Sequence, residues 1–99
     1  MFTFNKTVEN EKMVLSLEGR LDTVTAPQLE TVVKTELGGV KTLIFDFSKL
    51  EYISSSGLRV LLFAQKFMNA QGTMKVVGVS ETIMEIFDVT GFSDILTVE

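Results

Sequence analysis

Apolar and polar residues alternate over residues 2–8, and a second β-like run follows over residues 13–17. The polar Glu9-Asn10-Glu11-Lys12 between them suits a tight turn, so the two runs predict an antiparallel hairpin. The period then changes. Leu29, Val32, Val33 and Leu37 recur at helical spacing, with Thr25 and Gln28 placed as a capping box, Pro27 in the first turn and Gly38-Gly39 as a stop. Residues 42–47, TLIFDF, form a nearly continuous apolar run rich in β-formers, which predicts a central strand covered on both faces. Residues 48–54 read as loop, 56–70 as a helix ended by Gln71-Gly72, and 74–79 as a further strand. Ser80 opens a third helix with Ile83, Met84, Ile86 and Phe87 inward and Gly91 closing it. Residues 94–98 are a candidate last short strand.

The predicted order is β-β-α-β-α-β-α, with an optional final β. Strands alternating with helices require parallel pairing through right-handed crossovers. The crossovers are short, so consecutive strands should lie side by side, and a sheet wound steadily one way keeps its helices together. The expectation is an α/β fold in one domain over residues 1–99. Its sheet is mixed and mostly parallel, four- to five-stranded with an N-terminal antiparallel hairpin, and about three helices lie mainly on one face.

Composition narrows the chemistry. The chain has 99 residues, 45% hydrophobic and 22% charged, and a net charge of −4, ordinary for a folded domain. Lys and Arg are scattered singly in an acidic chain, which argues against nucleic acid and anionic membrane surfaces. There is no cysteine and no histidine, which excludes disulfides, thiol chemistry, cysteine-based metal sites and the Ser–His–Asp triad. Asp46, Asp88 and Asp94 are too scattered for a metal proposal. The N-terminus lacks the apolar core of a signal peptide and no apolar run is long enough to span a bilayer, so a cytoplasmic protein is expected.

In a parallel α/β sheet, sites gather beside the carboxyl ends of the strands. Gly19-Arg-Leu-Asp-Thr23, Asp46-Phe-Ser48 and Ile53-Ser-Ser-Ser-Gly-Leu58 are expected at that edge, which would bring the three serines near Asp22 and Asp46. A serine N-cap explains one hydroxyl. It leaves unexplained Gly57 in a first turn, where glycine is a poor helix former, and Arg59, a cation where the helix dipole favours anions. Both suit the approach of an anion or of another protein's backbone. A plain cap and a functional serine therefore both stand on the chemistry alone.

The helical wheel over residues 58–70 puts Val60, Phe63, Ala64, Phe67 and Met68 on one apolar face, with Leu61 at its flank. Arg59, Gln65, Lys66 and Asn69 lie opposite, and Leu58 and Leu62 fall among them. Either a loop covers these two leucines or they form a contact patch beside the serines.

Three segments, GRLDTVTAPQLE at 19–30, LIFDFSKLEYISSSGLRVLL at 43–62 and VTGFSDIL at 89–96, resemble the STAS domain family, named for sulphate transporters and anti-sigma factor antagonists. The middle segment is the specific one: strand, D-x-S, a short loop, then serines and G-L. The resemblance covers the whole chain and is to the stand-alone antagonist form. It implies a STAS-like fold and a non-enzymatic partner-switching protein with no cofactor and no metal. Such a protein binds a kinase-type anti-sigma factor, which phosphorylates one of its serines, and a phosphatase reverses the modification. The family's usual pattern is Asp-Ser-Ser/Ala-Gly-Leu. Aligned here, Ser54 stands at the Asp position and Ser55 at the phosphoacceptor. Asp22, Thr23, Ser54, Ser56, Gly57, Leu58 and Leu62 are then the expected partner-binding residues of a monomer or weak dimer. The alternatives are a STAS adaptor or subunit of a signalling or lipid-transport assembly that is not phosphorylated, and a small nucleotide-using enzyme built on Asp22 or Asp46.

Overall fold

A computed structural model describes residues 2–99; Met1, the first residue of the expected domain, lies outside them. The elements are β1 (Phe2–Glu9), β2 (Lys12–Leu21), α1 (Ala26–Glu36), β3 (Thr42–Ile53), α2 (Ser55–Asn69), β4 (Thr73–Val77) and α3 (Glu81–Thr90), then a 3₁₀ turn at Phe92–Asp94. The sheet order is β1-β2-β3-β4, with β1 antiparallel to β2 and the other pairs parallel. The expected hairpin turns at Asn10, whose φ of 57° lies in the left-handed region that asparagine tolerates.

The core lies on one face of the sheet. Leu43, Phe45 and Phe47 of β3 point into a single apolar cluster with Val33 of α1, Leu61 of α2 and Phe87 of α3, so all three helices cover that face. Ile44 and Asp46 point to the opposite, uncovered face and are half-buried. The reading of 42–47 as covered on both faces is therefore corrected. Hydrogen bonding to β2 and β4 on both sides explains the run's β-rich composition without a second layer of helices.

Strand β3 is longer than its pattern predicts, because residues 48–53 are strand rather than loop. From Ser16 to Leu21 β2 advances five positions while β3 advances seven, Asp46 to Ile53, across two register shifts. Each surplus residue is a β-bulge that bends the strand and shifts its inward–outward alternation. Leu50 and Ile53 consequently face the core at a spacing of three, which hides the strand from a period-two reading.

Helix starts differ from expectation at one place. Ser80 and Gly91 bound α3 as predicted: the Ser80 hydroxyl accepts the Ile83 N–H at 3.2 Å and Gly91 is left-handed. Thr25, however, makes no side-chain cap to α1, because its hydroxyl is engaged with Asp22 and Arg20 instead. Of the predicted inward residues of α3, Ile83 and Phe87 are buried and Met84 and Ile86 half-buried. The candidate final strand reduces to one parallel bridge between Val98 and Val76. No helix among the described residues is long and apolar enough to cross a membrane.

The two edges of the sheet are closed differently. Residues 97–99 hydrogen-bond Val76 on β4, while β1 forms the other edge and ties its Lys6 to Glu36 of α1 by an ion pair.

Candidate functional site

The carboxyl ends of β2 and β3 stop side by side, with Leu21 paired to Ile53. Ser54 N–H donates to the Leu21 carbonyl at 2.9 Å, which locks the two following loops together. Helix α2 starts there, and its three serines have three different environments. Ser54 is the N-cap: its backbone is extended, its hydroxyl accepts the Gly57 N–H at 3.3 Å, and its carbonyl accepts the Leu58 N–H at 2.9 Å. Ser56 lies 3.5 Å from the Thr23 hydroxyl, a long contact across the two loops. Ser55 is exposed at the first helical position, with no side-chain hydrogen bond among the described residues. Serine and aspartate are about equally good N-caps, so Ser54 fills structurally the position where the family pattern has Asp.

The Asp22 loop is built from hydrogen bonds to its own backbone. The carboxylate accepts the N–H groups of Val24 and Thr25 at 3.0 and 3.1 Å, and the Asp22 N–H donates to Thr25 Oγ1 at 2.8 Å. The Asp22 carbonyl accepts the Ala26 N–H at 2.8 Å. The Asp22 side chain thus fixes the turn that leads into α1, and only its main-chain carbonyl reaches the first helical residue. The Thr25 N–H, followed by the Thr25 hydroxyl, the Val24 N–H and the charge of Arg20, keeps this carboxyl below its ordinary range.

Two of the expected recognition residues point inward. Gly57 is buried, and a Cβ on it would stand 2.8 Å from Ile53 Cγ1 and 2.9 Å from Leu21 Cδ2. The missing side chain admits the ends of β2 and β3 against α2; it does not open the surface to another protein's backbone. Leu58 is only 5% exposed and belongs to the core, so it supports the site from beneath. Leu62 is half-buried, while Thr23, Ser54, Ser55 and Ser56 remain at the surface or partly exposed there.

The wheel drawn from sequence is rotated. The buried face of α2 is Gly57, Leu58, Val60, Leu61, Ala64, Gln65 and Met68. Gln65, expected outside, is 7% exposed with its amide donating to Asn69 Oδ1 at 2.8 Å. Phe63 and Phe67, expected inside, are at the surface.

Asp46 is not part of this site. It lies seven positions before Ile53 on β3, roughly 20 Å away along the strand. There its carboxylate accepts the Ser48 N–H at 2.9 Å and lines a depression of about 210 Å³ on the uncovered face with Asn5, Ser16, Glu18 and Lys49. A second depression, of about 170 Å³, does adjoin the serines: Thr23, Ala26, Pro27 and Glu30 form one side, Ser56, Arg59 and Val60 the other. Sequence reasoning missed this groove and the Val24 beside it. A lone valine among polar loop residues gave no sign of its exposure.

The family model for the STAS domain matches residues 3–99. The anti-sigma-B factor antagonist of Staphylococcus epidermidis is 33% identical over 82 residues, 81% of this chain and 76% of the relative. The anti-sigma factor antagonist SpoIIAA in its unphosphorylated form superposes with a TM-score of 0.79 at 26% identity, over 98% of this chain and 87% of the neighbour. The Bacillus cell fate determinant SpoIIAA in its phosphorylated form gives 0.77 at 26% identity, over 98% and 91%.

Proposed function

This chain belongs to the STAS domain family, and from that premise we propose that it is an anti-sigma factor antagonist that binds a kinase-type anti-sigma factor and is switched by reversible phosphorylation of Ser55. The observation that carries the reading is the division of labour among the serines. Ser54 is engaged as the cap, Ser56 faces Thr23, and Ser55 is exposed at the start of α2. Thr23, Ser55 and Ser56 form the recognition surface, with Leu62 at its rim. Asp22 contributes by fixing the loop that carries Thr23. The partner's kinase activity modifies Ser55 and a phosphatase restores it, in the cytoplasm, with no catalysis by this chain.

Phosphorylation adds three acceptor oxygens and nearly two negative charges to a surface that otherwise offers a neutral hydroxyl. The amides of the α2 start and the Arg59 cation favour that charge where it forms, so the phosphate needs no refolding to be accommodated. The similar superposition on unphosphorylated and phosphorylated SpoIIAA, 0.79 and 0.77, supports a switch without a change of fold. The partner is then excluded by bulk and charge at the contact itself.

Intact-mass measurement after incubation with the cognate kinase and ATP tests the reading. Wild type should gain one phosphate and Ser55→Ala none, while Ser55→Asp should weaken partner binding. Equal phosphate gain by Ser55→Ala and wild type moves the acceptor elsewhere. No gain by wild type favours an adaptor that is not phosphorylated.

A further inference from the structure

The flank of α2 that faces α1 combines exposed apolar surface with charge. Beyond the groove, about one helical turn further along each helix, the Lys34 ammonium of α1 stands 5.6 Å from the Phe63 ring centre. Phe63 and Phe67 have ring centroids 6.3 Å apart and are 39% and 36% exposed. At the other end of the groove Val24 has 81% of its surface in solvent, although its own N–H is held by Asp22. A branched side chain on a fixed backbone loses little conformational entropy when a partner covers it.

The charge of this strip opposes that of the protein. Helix α2 carries two basic residues, Arg59 and Lys66, and no acidic one, in a chain of net charge −4. Arg59, Lys66 and Lys34 are exposed along the strip. Of the two carboxylates near it, Glu30 is paired with Lys34 at 3.3 Å and Asp22 is held by the Val24 and Thr25 N–H groups, while Arg59 forms no ion pair among the described residues.

We infer that the strip from Val24 through the α1–α2 groove to Phe67 is the docking face for the kinase-type partner, and that the partner presents to it an apolar surface ringed by carboxylates. The inference rests on the preceding functional reading and extends its surface of Thr23, Ser55 and Ser56 along the α1–α2 groove. It also gives the switch a sign. A phosphate of about −1.5 to −2 on Ser55 outweighs the positive excess of Lys34, Arg59 and Lys66 over Glu30 and Asp22, so the acidic rim of the partner loses its counterpart.

The test uses the full chain and anti-sigma kinases from the source genome, with binding followed by calorimetry and folding by circular dichroism. Val24→Ser should bind about tenfold more weakly with an unchanged melting curve. Arg59→Glu combined with Lys66→Glu should lose about tenfold or more and flatten the salt dependence of binding. Lys12→Glu, the same reversal at the far end of β2, should bind as wild type does. Wild-type affinity in the Val24 and Arg59/Lys66 variants, with Ser55→Asp still defective, overturns the docking face and leaves the functional reading intact. If no kinase binds or phosphorylates the wild type, the reading fails and the inference with it. Retention on phosphatidylserine vesicles that the double variant loses would assign the strip to a lipid surface and overturn the inference.

Discussion

Asp22 and Thr25 hold each other from both sides: the Asp22 carboxylate accepts the Thr25 N–H at 3.1 Å, and Thr25 Oγ1 accepts the Asp22 N–H at 2.8 Å. The pair closes the turn from β2 into α1 and sets the height of Thr23 and Val24 above the helices.

Asp22→Ala should therefore lower the melting temperature by a few degrees, through loss of the side-chain hydrogen bonds that hold the turn, and should weaken partner binding through the loosened loop. The stabilisation has a defined pH dependence. The folded carboxyl titrates below the ordinary value of 3.8, so its contribution is complete above the unfolded value and disappears as pH falls through the lowered folded one. The advantage of wild type over Asp22→Asn should be present at neutral pH and vanish in strongly acidic buffer. Thermal melts across that range decide it, and a pH-independent difference would refute the linkage.

Gly57→Ala should destabilise the protein even though alanine is the better helix former by up to about 1 kcal/mol. The new methyl would sit 2.8 to 2.9 Å from Ile53 and Leu21 side-chain carbons, and overpacking of that kind costs roughly 1–3 kcal/mol. Urea denaturation is the measurement; a gain in stability would mean that the ends of β2 and β3 move aside freely.

The two leucines that the wheel grouped together should separate. Leu58→Ala empties a core position and should cost about 2–5 kcal/mol. Leu62→Ser, at a half-buried position, should cost markedly less. Equal losses in a denaturation series would place both leucines in the core.

Ser54→Ala should cost about 1 kcal/mol through the lost cap to Gly57 N–H, whereas Ser54→Asp should keep the helix start intact. Stability of the two variants, measured side by side, separates the capping role from any role in recognition. If Ser54→Asp were as unstable as Ser54→Ala, the hydroxyl would be making a contact that a carboxylate cannot replace.

The alternation in β1 and β2, the parallel order of the later strands and the stops at Gly38-Gly39 and Gly91 could all be read from residue pattern, because each is a local preference that the fold obeys. The tail of β3 could not. Its two bulges break the period on which the reading depends, and so Asp46 was placed at the strand end when seven further positions follow it. Helix α2 misled for a different reason. Its two phenylalanines pulled the apparent apolar face toward the α1 flank, and Gln65 is buried with its amide donating to Asn69. The site was legible as a place, since Ser54 and Leu21 do meet there, but not the inward aim of Gly57 and Leu58. That aim is set by how α2 leans on its neighbours, which no local pattern encodes.

The ion pair between Lys6 and Glu36 has a consequence for how the protein behaves in a crowd. Strand β1 leaves one side of its backbone without a neighbouring strand, a template on which another chain's strand can add. By the alternation of the strand, Lys6 lies on the helix-facing side between Phe4 and Val8, fastened to α1. A strand added at this edge would set its own side chains beside the ion pair and shed part of the water around it. The lysine thus guards the edge against fibril-like stacking. Lys6→Val should leave the native fold in place and turn concentrated solutions cloudy on storage, as light scattering would record.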